Sequence, residues 1–482
     1  MSLSTALNIA QNSLLNTQRQ TSVLSKNIAN AYNPDYSRRS ATISSLDPGS
    51  RIADIQRATN VALFKQNLAS VSGYQAQATI MAGLDQLNFS VNGIDNTTSP
   101  AAMIADLNEA LQLYSSTPSN RTLADNTLEA ARQVVNSLND GTRAIQAFRG
   151  DIDGQIAAGV RDLNTLLADF KATNDEIVSG TRAGRDVNDA LDKRDALLKK
   201  ISEHVPVSTI ARADNDMMIV TADGTTLFET VPRHVAYTPT AAYGPGTLGN
   251  RIYVDGVPIS PASGANTSAG GSLAAMVQLR VSFATEFLAQ LDEVARGLIS
   301  AFSEADPGNP ADVRAGLFTW SGAPAIPADG TLATGLAGEL SLNALIDPQQ
   351  GGNPELLRDG ANFDYNAADH ASFSDRLIGY TTGFDAAANY VSVDGTIVSR
   401  SLNDYATSVI SRLEDGRKSA TTAAEGRNAM LVRTAEALSN VTSVNVDEEM
   451  ALMLELEQSY AASAKMMQVI DEMLQTLLGT VR

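Results

Sequence analysis

From Leu3 to Ile28 one line of positions, Leu3, Leu7, Ala10, Leu14, Thr17, Thr21, Leu24 and Ile28, steps by alternating intervals of four and three. This is the spacing of a coiled-coil seam, and six of the eight positions are apolar. The same alternation returns at the far end through Met453, Leu456, Tyr460, Ser463, Met467, Ile470, Leu474, Leu477 and Val481. At about 1.5 Å per residue the two predicted helices are on the order of 40 and 50 Å long, near enough to lie side by side. Each end also fits an ordinary amphipathic helix resting on its own core. Two matched seams favour pairing of the ends. Leu15, Val23, Met466, Val469, Met473 and Leu478 fall beside the seams, and such apolar flanks call for neighbouring subunits to cover them.

The first helix is predicted to stop at Tyr32-Asn33-Pro34, because proline and the residue before it disfavour helix. Val61, Phe64, Leu68 and Val71 predict a second helix over roughly 54 to 90. Ser99-Pro100 reads as the cap and first position of a third. A long helical pattern follows from about 120 to 179, with glycines at 141, 150, 154 and 159 where a bend or break is expected. Val187, Leu191, Leu198, Ile201 and Val205 supply one more helical stripe. Beyond Val205, short apolar runs alternate with Asp223-Gly224 and Asp255-Gly256, which favour hairpin turns. Leu273 to Phe302 restores the helical period, residues 306 to 394 read as loops with short strands, and helices resume after Asp394-Gly395.

The predicted fold is therefore mainly α with β-rich insertions: terminal coiled-coil helices, an elongated helical-bundle rod, and one or two inserted β domains. In domain terms, residues 1–34 and 443–482 form the paired terminal coiled coil. Residues 35–204, 272–305 and 395–442 form the helical part, 205–271 a β-rich insertion, and 306–394 an irregular insertion that is separate or shares one outer domain with it.

Composition narrows the function. Over 482 residues, 35 Lys and Arg face 54 Asp and Glu, a formal charge of −19 that opposes binding to phosphate backbones. Nucleic acid and membrane are thus not expected partners. No run reaches the roughly 18 apolar residues of a membrane span, and no basic and apolar secretory leader opens the chain. With no Cys there are neither disulfides nor thiolate ligands.

No catalytic site is assigned. Gly244-Pro245-Gly246-Thr247-Leu248-Gly249 matches a dinucleotide fingerprint as a string, but a strand pattern rather than a helix follows it, so a turn is the better reading and no cofactor is expected. His204, His234 and His370 stand alone, without a second His at a metal-ligand spacing, and no metal is expected. Asp447, Glu448 and Glu449 sit at a helix start, where Asn445 can cap and carboxylates meet the helix dipole. An enzyme or adhesin carried on a helical stalk is the alternative class, and it lacks a convergent polar site.

The segment from Ala29 to Arg38, with Ala29, Asn30, Pro34 and Tyr36, resembles the Ala-Asn-x-x-Thr-Pro-Gly-Tyr signature of bacterial flagellar rod, hook and hook-associated proteins. Asn33 stands for the usual Thr and Asp35 for the usual Gly. Val444 to Met450, with Asn445, Asp447 and Glu448, and then Glu457 to Lys465, with Tyr460, resemble the C-terminal signature of the same axial family. Asn188 to Leu198 is similar to a segment of its hook-associated protein 1 branch. The resemblance implies a non-catalytic structural adaptor between hook and filament, located outside the cell on the flagellum. It further implies export without a cleaved signal peptide, an export chaperone on the C-terminal helix, and assembly as a ring beneath the filament cap. Implied partners are copies of the chain, the hook protein and the next junction protein. A hook or filament subunit is the alternative within the family. Of the seam, Leu3, Leu7, Leu14, Leu24, Ile28, Met453, Leu456, Tyr460, Met467, Ile470, Leu474 and Leu477 are the expected assembly residues.

Overall fold

The computed structural model describes residues 3–45, 50–258, 270–392 and 394–480. The expected seam position Val481 lies outside them. The chain is mainly helical, with six sheets of two or three strands among the described residues. It begins with α1 (Leu3–Ala29), the hairpin β1 (Arg39–Ser45) and β2 (Ser50–Arg57), then α2 (Val61–Asn92), α3 (Pro100–Ser116), α4 (Arg121–Arg182) and α5 (Asn188–His204). Short strands follow: β3 (Val207–Ala211), β4 (Met217–Thr221), β5 (Thr226–Phe228), β6 (Val235–Ala236), β7 (Tyr253–Val254) and β8 (Val257–Pro258). A π-turn at Leu279–Phe283 joins α6 (Gly271–Gln278) to α7 (Ala284–Ala301). The irregular stretch holds β9 (Glu304–Asp306), β10 (Asn309–Arg314), β11 (Phe318–Thr319), α8 (Leu336–Glu339), β12 (Ser341–Leu342), α9 (Leu356–Asp359) and α10 (Asp375–Asp385). The hairpin β13 (Ala388–Val391) and β14 (Ile397–Arg400) leads into α11 (Leu402–Thr442) and α12 (Val446–Thr480).

Two compact units result, one from Met1–Tyr74, Arg161–Val235 and Gly426–Arg482, the other from Gln75–Val160 and Ala236–Glu425. The stretch 205–271, expected as one insertion, is divided between them. In the first unit β3, β4 and β5 form an antiparallel sheet, and Phe228 meets Phe170 of α4 edge to face at 5.0 Å. In the second, residues 237–250 are fastened to the π-turn. Arg280, 1% exposed, donates to Asp153 and Tyr237 and to the Asn250 carbonyl at 2.5 Å. Gly249, at φ +83°, lies so close that a Cβ there would sit 2.9 Å from the Arg280 guanidinium carbon. The Gly-rich string is therefore a turn packed on an arginine, with no helix after it.

The second helix starts at Val61, not near 54, because residues 50–57 pair as a strand with residues 39–45, Arg57 lying opposite Arg39. The expected break in α4 does not occur: it is one helix of 62 residues. A mid-helix glycine costs about 1 kcal/mol, whereas each fully buried Ile, Leu or Phe gains about 1.5–3 kcal/mol. Ile145, Phe148, Ile152, Ile156, Leu163, Leu167, Phe170 and Ile177 are all buried on its inner stripe, so packing wins. Gly141 is also needed there: a Cβ would meet Val91 at 3.2 Å and Leu291 at 3.3 Å. Ser99 caps α3 ahead of Pro100, its hydroxyl accepting from the Ala102 amide. The core of the second unit centres on Phe302, which packs against Phe318, Tyr380 and Phe384 at centroid distances of 5.0, 4.6 and 5.6 Å.

Candidate functional site

Helices α1 and α12 pack against each other within the chain. Ser13 meets Ser463 at 2.8 Å and Asn27 meets Glu449 at 2.8 Å, so an advance along α1 is matched by a retreat along α12 and the pair is antiparallel. On α1, Ala10, Thr17 and Leu24 are buried, and Leu3, Leu7, Leu14, Thr21 and Ile28 are half-buried. On α12, Ser463 and Ile470 are buried, and Met453, Leu456, Met467 and Leu474 are half-buried. Tyr460 and Leu477 remain exposed, at 51% and 53%. Heptad counting places them on the inner line, yet about half of each side chain's surface stays open to solvent.

The flanks divide. Val23 is buried, since α1 also packs on the β1–β2 hairpin, where the Ile52 amide donates to Asn16 at 3.2 Å. The others stay exposed: Leu15 on α1, and Met466, Val469, Met473 and Leu478 on α12. Of these, Met466, Val469 and Met473 form an apolar stripe along α12 that stays exposed among the described residues.

At the far end of the pair lies a polar hub. Asn27, 0% exposed, donates to the Arg39 carbonyl and to Glu449, both at 2.8 Å, and its side-chain oxygen accepts from the Tyr36 hydroxyl and the Arg39 amide. Glu449, equally buried, also accepts from Arg38 at 2.6 Å. Arg39 reaches on to Asp189 at 2.5 Å and Asp192 at 3.0 Å, while Arg57 binds Asp192 at 3.0 Å and Asp195 at 2.7 Å. Lys26 completes the set on Asp189 at 2.7 Å. Four cations thus face four carboxylates, as burial of charge requires. Burial pushes the Tyr36 hydroxyl up to about 12 against the pull of Arg39. For Asp189, burial raises the carboxyl pKa, but hydrogen bonds from Lys26 and Arg39 outweigh it and hold the group below its ordinary value.

The signature residues fall around this hub with different roles. Tyr36 is buried in it, whereas Ala29 and Pro34 are exposed. The Asn30 side chain donates to the Lys26 carbonyl and closes the end of α1. Asn33 accepts from the Asp35 amide, and Asp35 is not left-handed, so the turn forms without the usual glycine. Asn445 caps α12 by accepting from the Asp447 amide at 3.1 Å, and Asp447 and Glu448 are exposed in its first turn. The loop also walls an open groove of about 1140 Å³ with Tyr32, Pro34, Arg57, Asn60, Lys199 and Ser439.

Asn27, Arg39 and Arg57 are not singled out by sequence reasoning, and Glu449 is read there only as one of three acids at a helix start. One signal exists for Glu449: counting the α12 seam back by four from Met453 lands on it, marking it as inward-facing among three acids. No group of three or more acids or histidines among the described residues is placed to hold a metal ion, and none of their helices is long and apolar enough to cross a membrane.

Comparison with known proteins gives this arrangement a setting. Residues 84–307 match the family model of the flagellar hook-associated protein FlgK helical domain. Residues 439–480, which contain α12, match that of the flagellar basal body rod FlgEFG protein C-terminal region. Both matches point to a flagellar axial protein, the class in which a chain with paired terminal helices fits. The flagellar hook-associated protein 1 of Bacillus subtilis (strain 168) is 21% identical over 520 residues, covering 98% of this chain and 97% of that protein. These likenesses support a flagellar hook-associated protein of the FlgK type. A solved structure of the flagellar hook junction protein FlgK from Burkholderia pseudomallei matches with 19% identity and a TM-score of 0.43, over 53% of this chain and 47% of that one.

Proposed function

We propose that the chain is a non-catalytic adaptor that joins the flagellar hook to the filament and assembles with copies of itself, as a ring, through α1 and α12. The observation that carries this reading is the exposed stripe of Met466, Val469 and Met473 on α12, beside the seam already paired with α1. Exposed apolar side chains in a row lose nothing by being covered and gain about 25 cal/mol for each Å² removed from water. The Asn27–Glu449 hub fixes the two helices to the rest of the first unit, so that the stripe is presented in one orientation. The likeness to flagellar hook-associated proteins supports the flagellum as the setting, and the match to the hook-associated helical domain over residues 84–307 favours an adaptor over a hook or filament subunit. In this reading the partners are the hook protein, the next junction protein, the filament cap during assembly, and an export chaperone on α12. The chain reaches the outside of the cell by flagellar export without a cleaved signal.

Deletion of the gene tests the proposal. Loss of an adaptor leaves hooks made, filaments missing and flagellin released into the medium. Normal filaments on the deletion strain would overturn it.

A further inference from the structure

The chain has no Cys and 12 Met, so methionine thioethers are its oxidisable sulfur. Five of them, Met450, Met453, Met466, Met467 and Met473, lie on α12, a helix of 35 residues. That concentration is far above an even spread. Met453 and Met467 are half-buried on the α1 side of the helix. Met466 and Met473, at 51% and 52%, are among the exposed methionines, with Met430 and Met450 each at 46%. Met466 and Met473 are two turns apart on one face, and Val469 continues the same stripe.

We infer that Met466 and Met473 form a peroxide-sensitive modification site of the free subunit, and that their conversion to sulfoxides blocks assembly. The second clause rests on the assembly reading above. The thioether lone pair attacks one oxygen of a hydroperoxide, the O–O bond breaks and an S–O bond forms. The departing oxygen takes the proton of the transferred one and leaves as water or an alcohol. Sulfur loses two electrons and the peroxide gains them. The product is a strong dipole where an apolar, adaptable side chain stood, and a partner surface that covers it leaves the sulfoxide oxygen without water. An assembled copy, its stripe covered, keeps both thioethers from the oxidant. Loss of function by peroxide is therefore confined to subunits not yet in place.

The test exposes the full-length chain to hydrogen peroxide, maps each methionine by peptide mass, and measures association with isolated hooks that lack the junction protein. Met466 and Met473 oxidise at least about tenfold faster than Met276, which is 6% exposed, and association falls while helical content is kept. Peroxide does not lower the association of the Met466→Leu/Met473→Leu variant below that variant's own untreated level, and methionine sulfoxide reductase restores the wild-type chain. Equal rates at Met466, Met473 and Met276 would overturn the site. A double-Leu variant as peroxide-sensitive as wild type would overturn the blocking step by placing the lesion at another methionine. If the untreated chain does not associate with hooks at all, the assembly reading fails together with the blocking step, and the mapping still decides the modification site.

Discussion

The Asn27 amide donates to the Glu449 carboxylate across 2.8 Å, joining two fully buried residues 422 positions apart in the chain. Through this one bond the end of α1 and the first turn of α12 share a partner set with Tyr36, Arg38 and Arg39. Replacing Asn27 by Ala removes a donor and an acceptor that together satisfy four neighbouring groups. Unpaired buried polar groups cost about 1–3 kcal/mol each, and Arg38 still holds Glu449, so a loss of roughly 2–4 kcal/mol is expected. Amide exchange at the start of α12 reads it directly, and unchanged protection in Asn27→Ala would refute the hub's structural role.

Seam and stripe respond differently to the same chemistry. Ile470 is 8% exposed against α1, so Ile470→Asp buries an unpartnered carboxylate and destabilises the helix pair by several kcal/mol while leaving the second unit folded. Val469, one position along and 40% exposed, tolerates Asp within about 0.5 kcal/mol in the free chain. Assembly is nevertheless expected to fail in both. Swimming by a strain carrying Val469→Asp at wild-type speed would show that the stripe stays wet in the flagellum.

Two carboxylates tilt acid stability in opposite directions. Asp189 titrates below its ordinary value, so its contribution is present above pH about 4 and is lost as pH falls through the lowered pKa. Asp292, 3% exposed, is pushed up to about 6 by burial despite accepting from the Gly335 and Ala337 amides. Between the unfolded value of 3.8 and about 6 the folded chain holds a proton that the unfolded chain has released. Stability of the second unit therefore falls by roughly 3 kcal/mol as pH rises through that window and is flat above it. Urea midpoints measured from pH 3.5 to 7 check this, and Asp292→Asn should flatten the slope whatever it does to the absolute value.

Gly297 sits in α7 where a Cβ would lie 2.8 Å from the Tyr390 hydroxyl oxygen and 2.9 Å from a Leu402 methyl. An added methyl in a packed core costs about 1–3 kcal/mol, while replacing glycine by alanine in a helix recovers up to about 1 kcal/mol. The clash outweighs the gain in helix propensity. Gly297→Ala is expected to lower the thermal midpoint, and a raised midpoint would mean that the β13–β14 hairpin moves aside at little cost.

Much of the secondary structure was legible because helical period and capping are local properties. The seams from Leu3 to Ile28 and from Met453 to Leu474, the Ser99-Pro100 start of α3 and the stripe of α5 all follow from spacing and side-chain chemistry within a few turns. The β1–β2 hairpin was not legible, since its strands are largely polar and their pairing is supported by α1 packing against them. Nor was the continuity of α4: propensity argues for a break at its glycines, and only the summed burial along its inner stripe overrides it.

The sequence by itself determined that both ends are amphipathic helices with matched apolar lines, and its signatures pointed to a flagellar axial family. Tertiary structure decided which apolar residues on those helices are buried within the chain and which stay exposed, burying Val23 on α1 and leaving Tyr460 and Met473 half in water. It alone brought Asn27, Arg39, Asp192 and Glu449 together, because a buried charge is stable only beside partners that the fold carries in from distant segments.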